Sequence, residues 1–170
     1  SSARAGILAG GGMQCQAGPM TLPDPRHDAP SPWIRRFAWL VPAGGTVLDL
    51  ACGAGRHARH FLGLGHPVLA LDRDLAGVAD LEGQPGVALL RADLEDGGAF
   101  PLAGRRFAGV VVTNYLWRPL LPALVAAGAP GGCLLYETFA LGNERFGLPA
   151  NPDHLLRPHE LLDAVAGQLR

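Results

Sequence analysis

Acidic and amide side chains follow apolar, strand-length segments at five places in this sequence. These residues are Asp49, Asp72, Asp93, Asn114 and Glu137. Parallel strands meet at one edge of a sheet by their carboxyl ends, and ligands of open α/β sheets bind outside that edge. The pattern therefore predicts a polar binding site along one edge, with carboxylates suited to ligand hydroxyl and amine groups.

A glycine-bearing turn follows the first of these acids. Gly53 and Gly55 come directly after an apolar segment at residues 46–51, and helical spacing begins at Arg56. Glycine permits a tight turn and close ligand approach, and the free N–H groups at a helix start point toward that ligand. A carboxylate such as Asp49 must be hydrogen bonded or hold a polar group in this setting.

The same turn admits a second interpretation. Gly53, Gly55 and Ala58 also fit the G-x-G-x-x-G/A fingerprint of dinucleotide-binding domains. That match is weak by itself, because a turn placed against a pyrophosphate has no need of Asp49. A ligand with an amine or hydroxyls and no phosphate suits Asp49 better.

The stretch Leu-Asp-Leu-Ala-Cys-Gly-Ala-Gly-Arg at residues 48–56 resembles the first motif of class I S-adenosylmethionine-dependent methyltransferases. The usual first glycine of that motif is Ala51 here. The Cys-Gly-x-Gly-Arg form is similar to small bacterial methyltransferases of the tellurite-resistance type. This resemblance covers residues 33–162 and implies a doubly wound, mostly parallel Rossmann-like α/β sheet. It also implies S-adenosyl-L-methionine as cofactor and methyl transfer to a small-molecule acceptor.

The resemblance also implies which residues contact the cofactor. Asp72 follows Asp49 at about the 20-residue separation at which an acid reaches ribose hydroxyls. Asp93 with Leu94 resembles the adenine-contacting pair, and Arg56 either pairs with the methionine carboxylate or is a surface arginine. The predicted cofactor-binding residues are Asp49, Ala51, Cys52, Gly53, Gly55, Arg56, Asp72, Arg73, Asp93, Leu94, Asn114 and Tyr115.

Catalytic residues are less well determined by the sequence. Asn114 and Tyr115 resemble the position that faces the transferable methyl group, but they depart from the Asn/Asp-Pro-Pro-Tyr form of nucleic-acid and protein amine methyltransferases. An acceptor that carries a proton needs a general base. The candidates are Tyr115, Glu137, His154 and His159, and the sequence does not choose among them.

Composition narrows the class of protein. The chain has 170 residues, 48% of them hydrophobic, and a net charge of −1, which fits one domain with a core. We expect no nucleic-acid substrate and no membrane segment, because basic patches and long apolar runs are lacking. Three cysteines without a zinc-type spacing favour a reducing cytoplasm and predict no metal site. His57 and His60 are interpreted as helix-surface residues.

The predicted organisation is a flexible arm at residues 1–30 and one methyltransferase domain at residues 31–170. Strands are predicted over 46–51, 67–72, 87–93, 107–114 and 133–138, and helices over 32–40, 56–64, 74–81, 118–127 and from Pro158 onward. Pro130, Gly131 and Gly132 predict a turn, and residues 142–157 predict a long polar loop.

Two questions stay open at this point. Class I methyltransferases usually add two strands after the last helix, so we expect a C-terminally truncated domain whose exposed sheet edge favours a homodimer. The alternatives to a methyltransferase are a non-catalytic nucleoside-binding module of the same fold and, with less support, a nicotinamide-dependent oxidoreductase.

Overall fold

The computed structural model describes residues 29–167, so the predicted arm falls almost entirely outside the described residues. The strands are β1 Val47–Leu50, β2 Val68–Asp72, β3 Val87–Arg91, β4 Phe107–Thr113 and β5 Gly128–Glu137. The α-helices are α1 Pro32–Phe37, α2 Arg56–Gly63, α3 Leu121–Ala127 and α4 Glu160–Val165. Short 3₁₀ segments lie at Ala38–Leu40, Ala76–Leu81, Arg118–Leu120, Asn143–Arg145 and Pro152–His154.

The five strands form one parallel sheet in the order β3-β2-β1-β4-β5. β1 is central, and the chain moves outward from it first through β2 and β3 and then through β4 and β5. Strand order therefore reverses between β1 and β4, which is the switch point where open α/β sheets bind ligands. The predicted doubly wound parallel sheet is confirmed.

Two hydrophobic clusters cover the two faces of the sheet. Val47 of β1 packs with Ile34 and Phe61 from α1 and α2, whereas Leu48 packs on the opposite face with Leu124 of α3. Successive strand residues point to opposite faces, so each strand contributes to both clusters. Burying each such side chain stabilises the fold by about 1.5–3 kcal/mol, and the double burial explains the continuous apolar runs in the sequence.

The beginning of β5 corrects one sequence prediction. Pro130, Gly131 and Gly132 lie inside β5 rather than in a turn before it. The pairing of β4 with β5 shifts register after Phe107, so these residues form a bulge, and Gly131 has a φ of 75°. A β-carbon on Gly132 would lie 2.8 Å from the carbonyl oxygen of Ala108. Glycine is therefore needed by the strand bulge, which the sequence alone cannot distinguish from a turn.

Candidate functional site

A cavity of about 620 Å³ lies at the carboxyl ends of the strands, where the sequence predicts a site. It is lined from all five strand ends and from the loop after β5. The predicted site residues that line it are Ala51, Asp72, Arg73, Asp93, Leu94, Asn114, Tyr115 and His154. The other predicted residues, namely Asp49, Cys52, Gly53, Gly55, Arg56, Glu137 and His159, are not part of the lining.

Asp72 joins the cavity to the glycine turn. Its Oδ2 accepts a hydrogen bond from the backbone N–H of Gly53 at 2.8 Å, and its Oδ1 accepts one from the N–H of Asp74 at 3.0 Å. A carboxylate offers about four acceptor positions, so two stay available for ligand donors. The side chain is half-buried, which leaves these positions accessible from the cavity.

The two positions of the turn require glycine for different structural reasons. Gly53 is exposed with a φ of 52°, and a β-carbon there would meet nothing within 4 Å. Gly55 has a φ of 73° but is buried, and a β-carbon there would lie 2.4 Å from Cγ1 of Val78. Gly53 therefore leaves open space above the turn, whereas Gly55 is required for packing against the segment that follows β2.

Two residues that line the cavity also have left-handed backbone conformations. Ala51 has a φ of 54° and Asn114 has a φ of 55°. Such conformations cost non-glycine residues about 1–2 kcal/mol, although asparagine tolerates them better than alanine. The N–H of Asn114 donates to the carbonyl oxygen of Glu137 at 2.9 Å, which fixes that backbone. The value at Ala51 explains why glycine is usual at this position of the motif.

Asp49 does not reach the cavity. Only 1% of it is exposed, and its Oδ2 accepts a hydrogen bond from the N–H of Ala58 in the first turn of α2 at 2.8 Å. Burial raises the pKa of its carboxyl to about 7. The structure therefore places Asp49 as a buried hydrogen-bond acceptor beneath the start of α2, and its contact with the cofactor stays a prediction.

Cys52 and Arg56 lie outside the cavity, on the same turn. Cys52 is buried, and desolvation raises the pKa of its thiol to about 12, which disfavours the thiolate form. Arg56 is half-buried, and its Nη1 donates to the carbonyl oxygen of Ala29 at 3.4 Å. A contact between Arg56 and the cofactor stays a prediction.

The histidine at position 57 corrects another prediction. His57 is 1% exposed rather than on the helix surface, because α2 turns it toward β4. Its Nδ1 lies 3.2 Å from Oγ1 of Thr113, and burial lowers its pKa to about 4. Among residues 29–167, no group of three His, Cys, Asp or Glu side chains is arranged to hold a metal ion.

The segment after β5 forms the wall opposite the strand ends. Pro149 and His154 line the cavity from this segment, which is closed at its base by a bridge between Ala140 and Leu156. Arg118 holds the same segment by donating to the carbonyl oxygens of Asp153 at 2.7 Å and Leu155 at 2.9 Å. His154 is exposed toward the cavity, next to the site that these contacts fix.

The remaining base candidates differ in their accessibility. Glu137 accepts a hydrogen bond from the hydroxyl of Ser31, so it faces α1. His159 is the left-handed residue before α4, at φ 63°, and α4 consequently begins at Glu160 rather than at the predicted Pro158.

Tyr115 is held in the cavity wall by its backbone. The hydroxyl of Tyr136 donates to the carbonyl oxygen of Tyr115 at 2.8 Å. Within the described part of the chain, the buried Oη of Tyr115 has no partner of normal hydrogen-bond geometry, and the Glu95 carboxylate lies beside it. Desolvation and the neighbouring Glu95 raise its pKa, so Tyr115 stays protonated at neutral pH and can donate a hydrogen bond to a ligand.

Sequence reasoning missed part of the lining. Glu95 follows Asp93 in a turn in which Oδ1 of Asp93 accepts from the N–H of Glu95 at 2.9 Å. The other missed residues with large side chains are Leu116, Thr138, Phe139 and Pro149. The pattern of polar residues at strand ends could have predicted Thr138, since it directly follows β5. The same pattern could not have predicted Pro149, because its position depends on how the long loop after β5 folds back against the cavity.

Comparison with solved structures identifies the fold. A TehB-like SAM-dependent methyltransferase from Corynebacterium glutamicum superposes with a TM-score of 0.57 at 21% identity, over 76% of this chain and 67% of that one. The chain has the class I methyltransferase fold. The methyltransferase fold also matches SAM-bound CalS10, an amino pentose methyltransferase from Micromonospora echinaspora, with a TM-score of 0.50 at 30% identity over 64% and 49% of the two chains. The predicted resemblance is thereby confirmed.

Sequence comparison agrees with this methyltransferase fold. Trans-aconitate 2-methyltransferase from Methylobacterium nodulans is 32% identical over 144 residues, which are 79% of this chain and 48% of that protein. The chain thus spans about half the length of this curated relative. No protein-family model matches the sequence.

Proposed function

We propose that this domain binds S-adenosyl-L-methionine and transfers its methyl group to a small-molecule acceptor. The observation that carries the proposal is the position of Asp72, which lines the cavity and at the same time holds the N–H of Gly53. One carboxylate thus places a pair of acceptor positions beside the open side of the glycine turn. Adjacent ribose hydroxyls are the donors that such a pair suits best.

The residues present fit this cofactor in three further respects. Asp93 and Leu94 lie together in the lining and offer a carboxylate acceptor for an exocyclic amine beside an aliphatic surface for a purine face. The space beside the backbone of Gly53 is open, so a ligand can approach that backbone closely. The buried Oη of Tyr115 has no partner of normal hydrogen-bond geometry among residues 29–167, although Glu95 lies beside it, so Tyr115 can also donate to a ligand acceptor.

The geometry gives less support to a nicotinamide dinucleotide. A pyrophosphate at this turn would need the free N–H groups at the start of α2. Asp49 already accepts from the N–H of Ala58, and the buried Gly55 is packed against Val78.

The proposed reaction requires little direct chemistry from the protein's side chains. Bound S-adenosyl-L-methionine supplies an electrophilic sulfonium methyl, so the protein acts chiefly by holding the reactants in line and excluding water. Phe139 and Pro149 provide apolar walls for the acceptor half of the cavity, and Thr138 provides a hydroxyl there. Of the base candidates, His154 is the exposed side chain that lines the cavity, and we assign it the role of accepting the proton from an acceptor that carries one.

A small, uncharged or cationic acceptor is favoured over a nucleic acid. Three acids line the cavity, namely Asp72, Asp93 and Glu95, against Arg73 and His154, and the chain carries a net charge of −1. Such a lining repels a phosphate backbone. No helix among residues 29–167 has the length and apolar character of a bilayer span. A cytoplasmic location and a homodimer through the β5 edge stay part of the proposal.

Isothermal titration calorimetry of the purified domain tests the cofactor. We expect S-adenosylhomocysteine and S-adenosylmethionine to bind at one site and NADH to show no heat. Asp72→Asn should weaken this binding, and the matched control is Asp80→Asn, because Asp80 is a surface acid whose carboxylate pairs with Arg59. No binding of either sulfur nucleoside would defeat the proposal.

Transfer itself needs a second assay. We expect radiolabelled methyl to appear on some member of a panel of small amines, alcohols, thiols and carboxylic acids. Cofactor binding without transfer to any of them would instead favour the non-catalytic nucleoside-binding module.

A further inference from the structure

Four polar side chains from separate segments form a hydrogen-bonded group beside the ends of β4 and β5. These residues are Ser31, His57, Thr113 and Glu137, and we call them the His57 cluster. The N–H of Ser31 donates to Nε2 of His57 at 3.1 Å, and the Ser31 hydroxyl donates to Glu137. Nδ1 of His57 lies 3.2 Å from Oγ1 of Thr113. No member of the cluster lines the cavity.

The geometry at His57 determines its protonation. A backbone N–H can only donate, so Nε2 must present its lone pair to Ser31. The ring proton then lies on Nδ1 and is donated to Oγ1 of Thr113, because the second nitrogen of a neutral imidazole carries the hydrogen. A cationic ring would set an Nε2–H donor against the N–H of Ser31. The groups that face His57 agree with the neutral form, since burial, Arg56 and His60 all lower its pKa.

The cluster is one residue away from the cavity on two strands. Thr113 is followed by Asn114, and Glu137 is followed by Thr138, and both of these following residues line the cavity. Asn114 has the left-handed φ of 55°, and its N–H donates to the carbonyl oxygen of Glu137 at 2.9 Å. A strained backbone persists only when its surroundings hold it. The His57 cluster supplies part of those surroundings.

The cluster also fixes the start of α1. Ser31 is the N-cap of this helix, and its Oγ accepts from the N–H groups of Trp33 at 3.1 Å and Ile34 at 3.5 Å. Ser31 is 5% exposed, so this cap is shielded from water. The chain that enters α1 is therefore tied to the carboxyl edge of the sheet through His57 and Glu137.

We propose that His57 is a positioning residue for the cavity: its neutral imidazole joins the start of α1 to the ends of β4 and β5. Through Thr113 it holds Asn114, and through Ser31 and Glu137 it holds Thr138. The part of this inference that concerns cofactor affinity rests on the proposed function. The part that concerns the hydrogen bonds does not.

Imidazole nitrogen NMR of the ¹⁵N-labelled domain tests the hydrogen bonds directly. We expect His57 to keep the Nδ1–H tautomer between about pH 5.5 and 8, whereas a free histidine titrates near 6.5. An Nε2–H tautomer, or titration of His57 within that range, would overturn the inference whether or not the domain binds a cofactor.

Two amide substitutions at His57 separate the hydrogen bond made by Nδ1 from the one made by Nε2. His57→Asn keeps a donor near the Nδ1 position and loses the acceptor for Ser31. His57→Gln keeps an acceptor near the Nε2 position and loses the donor to Thr113. His60→Asn and His60→Gln, on the same helix but outside the cluster, are the matched controls.

The two His57 variants are expected to differ both in amide exchange and in affinity for S-adenosylhomocysteine. His57→Asn should expose the amide of Ser31 to exchange and change the affinity by less than about twofold. His57→Gln should keep Ser31 protected, expose the amide of Asn114 and weaken the affinity by about tenfold, the effect of one lost hydrogen bond. Equal effects of both variants, in proportion to their loss of thermal stability, would reduce His57 to a general packing role and refute positioning.

Failure of the two proposals can be told apart. If the unaltered domain binds no S-adenosylhomocysteine, the proposed function fails, and the tautomer and amide exchange still decide the inference. If the unaltered domain binds it and both His57 variants bind it equally well, the cofactor assignment stands and the positioning role is refuted.

Discussion

Oδ2 of Asp72 accepts the backbone N–H of Gly53 at 2.8 Å, which connects the end of β2 to the turn after β1. The two residues are 19 positions apart in the chain, and parallel pairing of β1 with β2 brings them together. This contact means that one side chain both shapes the turn and borders the cavity. Its substitution therefore has two separable consequences.

Substitution of Asp72 is expected to weaken cofactor binding. Asp72→Ala removes both the support for Gly53 and the acceptors for ligand hydroxyls, so we expect the dissociation constant of S-adenosylhomocysteine to rise by about 100-fold. Asp72→Asn keeps one carbonyl oxygen for the turn and should cost about tenfold. Calorimetry measures both, with Asp80→Asn as the control. An unchanged affinity in Asp72→Ala would contradict the assignment of Asp72 to the ligand.

The buried carboxyl of Asp49 is expected to make stability depend on pH. Its pKa is about 7 in the folded domain, against an ordinary value of 3.8 for an aspartate side chain. The folded state therefore holds a proton that the unfolded chain has released, and the stabilisation present below about pH 4 is lost as pH rises through 7. That loss amounts to roughly 4 kcal/mol.

Comparison with Asp49→Asn isolates this effect. The amide oxygen of asparagine can still accept from the N–H of Ala58, and it does not titrate. Relative to this variant, the free energy of unfolding of the unaltered domain should fall between about pH 4 and 7, as measured by urea unfolding. The opposite dependence of His57 is present in both proteins and cancels. A constant difference across this range would show that Asp49 is ionised throughout.

Replacement of Ala51 by glycine is expected to stabilise the domain. Ala51 has a left-handed φ of 54°, at which the β-carbon is strained. Ala51→Gly relieves this strain at the cost of greater freedom in the unfolded chain, for a net gain of about 0.5–1 kcal/mol. Ala54→Gly is the matched control, because Ala54 has no positive φ and should lose stability by a similar amount. Destabilisation by both substitutions would refute the strain at Ala51.

Substitution of Arg118 is expected to loosen the wall that carries His154. The guanidinium reaches two carbonyl oxygens and both carboxylate oxygens of Glu160, a planar arrangement that lysine cannot reproduce. Arg118→Lys should accelerate amide exchange around residues 152–156 by about fivefold, as each lost hydrogen bond is worth about 1 kcal/mol. Arg59→Lys is the control, because its partner Asp80 is mostly exposed.

Amide exchange in the strands distinguishes local from global effects of Arg118. We expect Arg118→Lys to change exchange in the loop while exchange in β1 and β4 stays unchanged. Uniform acceleration over the whole domain would mean that Arg118 supports the fold rather than the position of the loop.

The sequence by itself determined the fold and the edge of the sheet that carries the cavity. Apolar runs such as β2 and β4, which end at Asp72 and beside Asn114, predict buried parallel strands because both faces must be covered. Strand ends then fix the approximate places of Asp72 and Asn114, since parallel strands share one carboxyl edge. The glycine turn and its resemblance to methyltransferases followed from local spacing alone.

Tertiary structure alone decided which polar groups face the cavity and which are buried beneath it. Asp49 and Asp72 look equivalent in sequence. In the structure α2 lies over Asp49 and donates a hydrogen bond to its carboxylate, whereas Asp72 borders the open cavity. His57 likewise looked like a surface residue, because its partners Ser31 and Thr113 are 26 and 56 positions away. Burial and hydrogen bonding depend on such distant neighbours, and a local pattern of residue types carries no information about them.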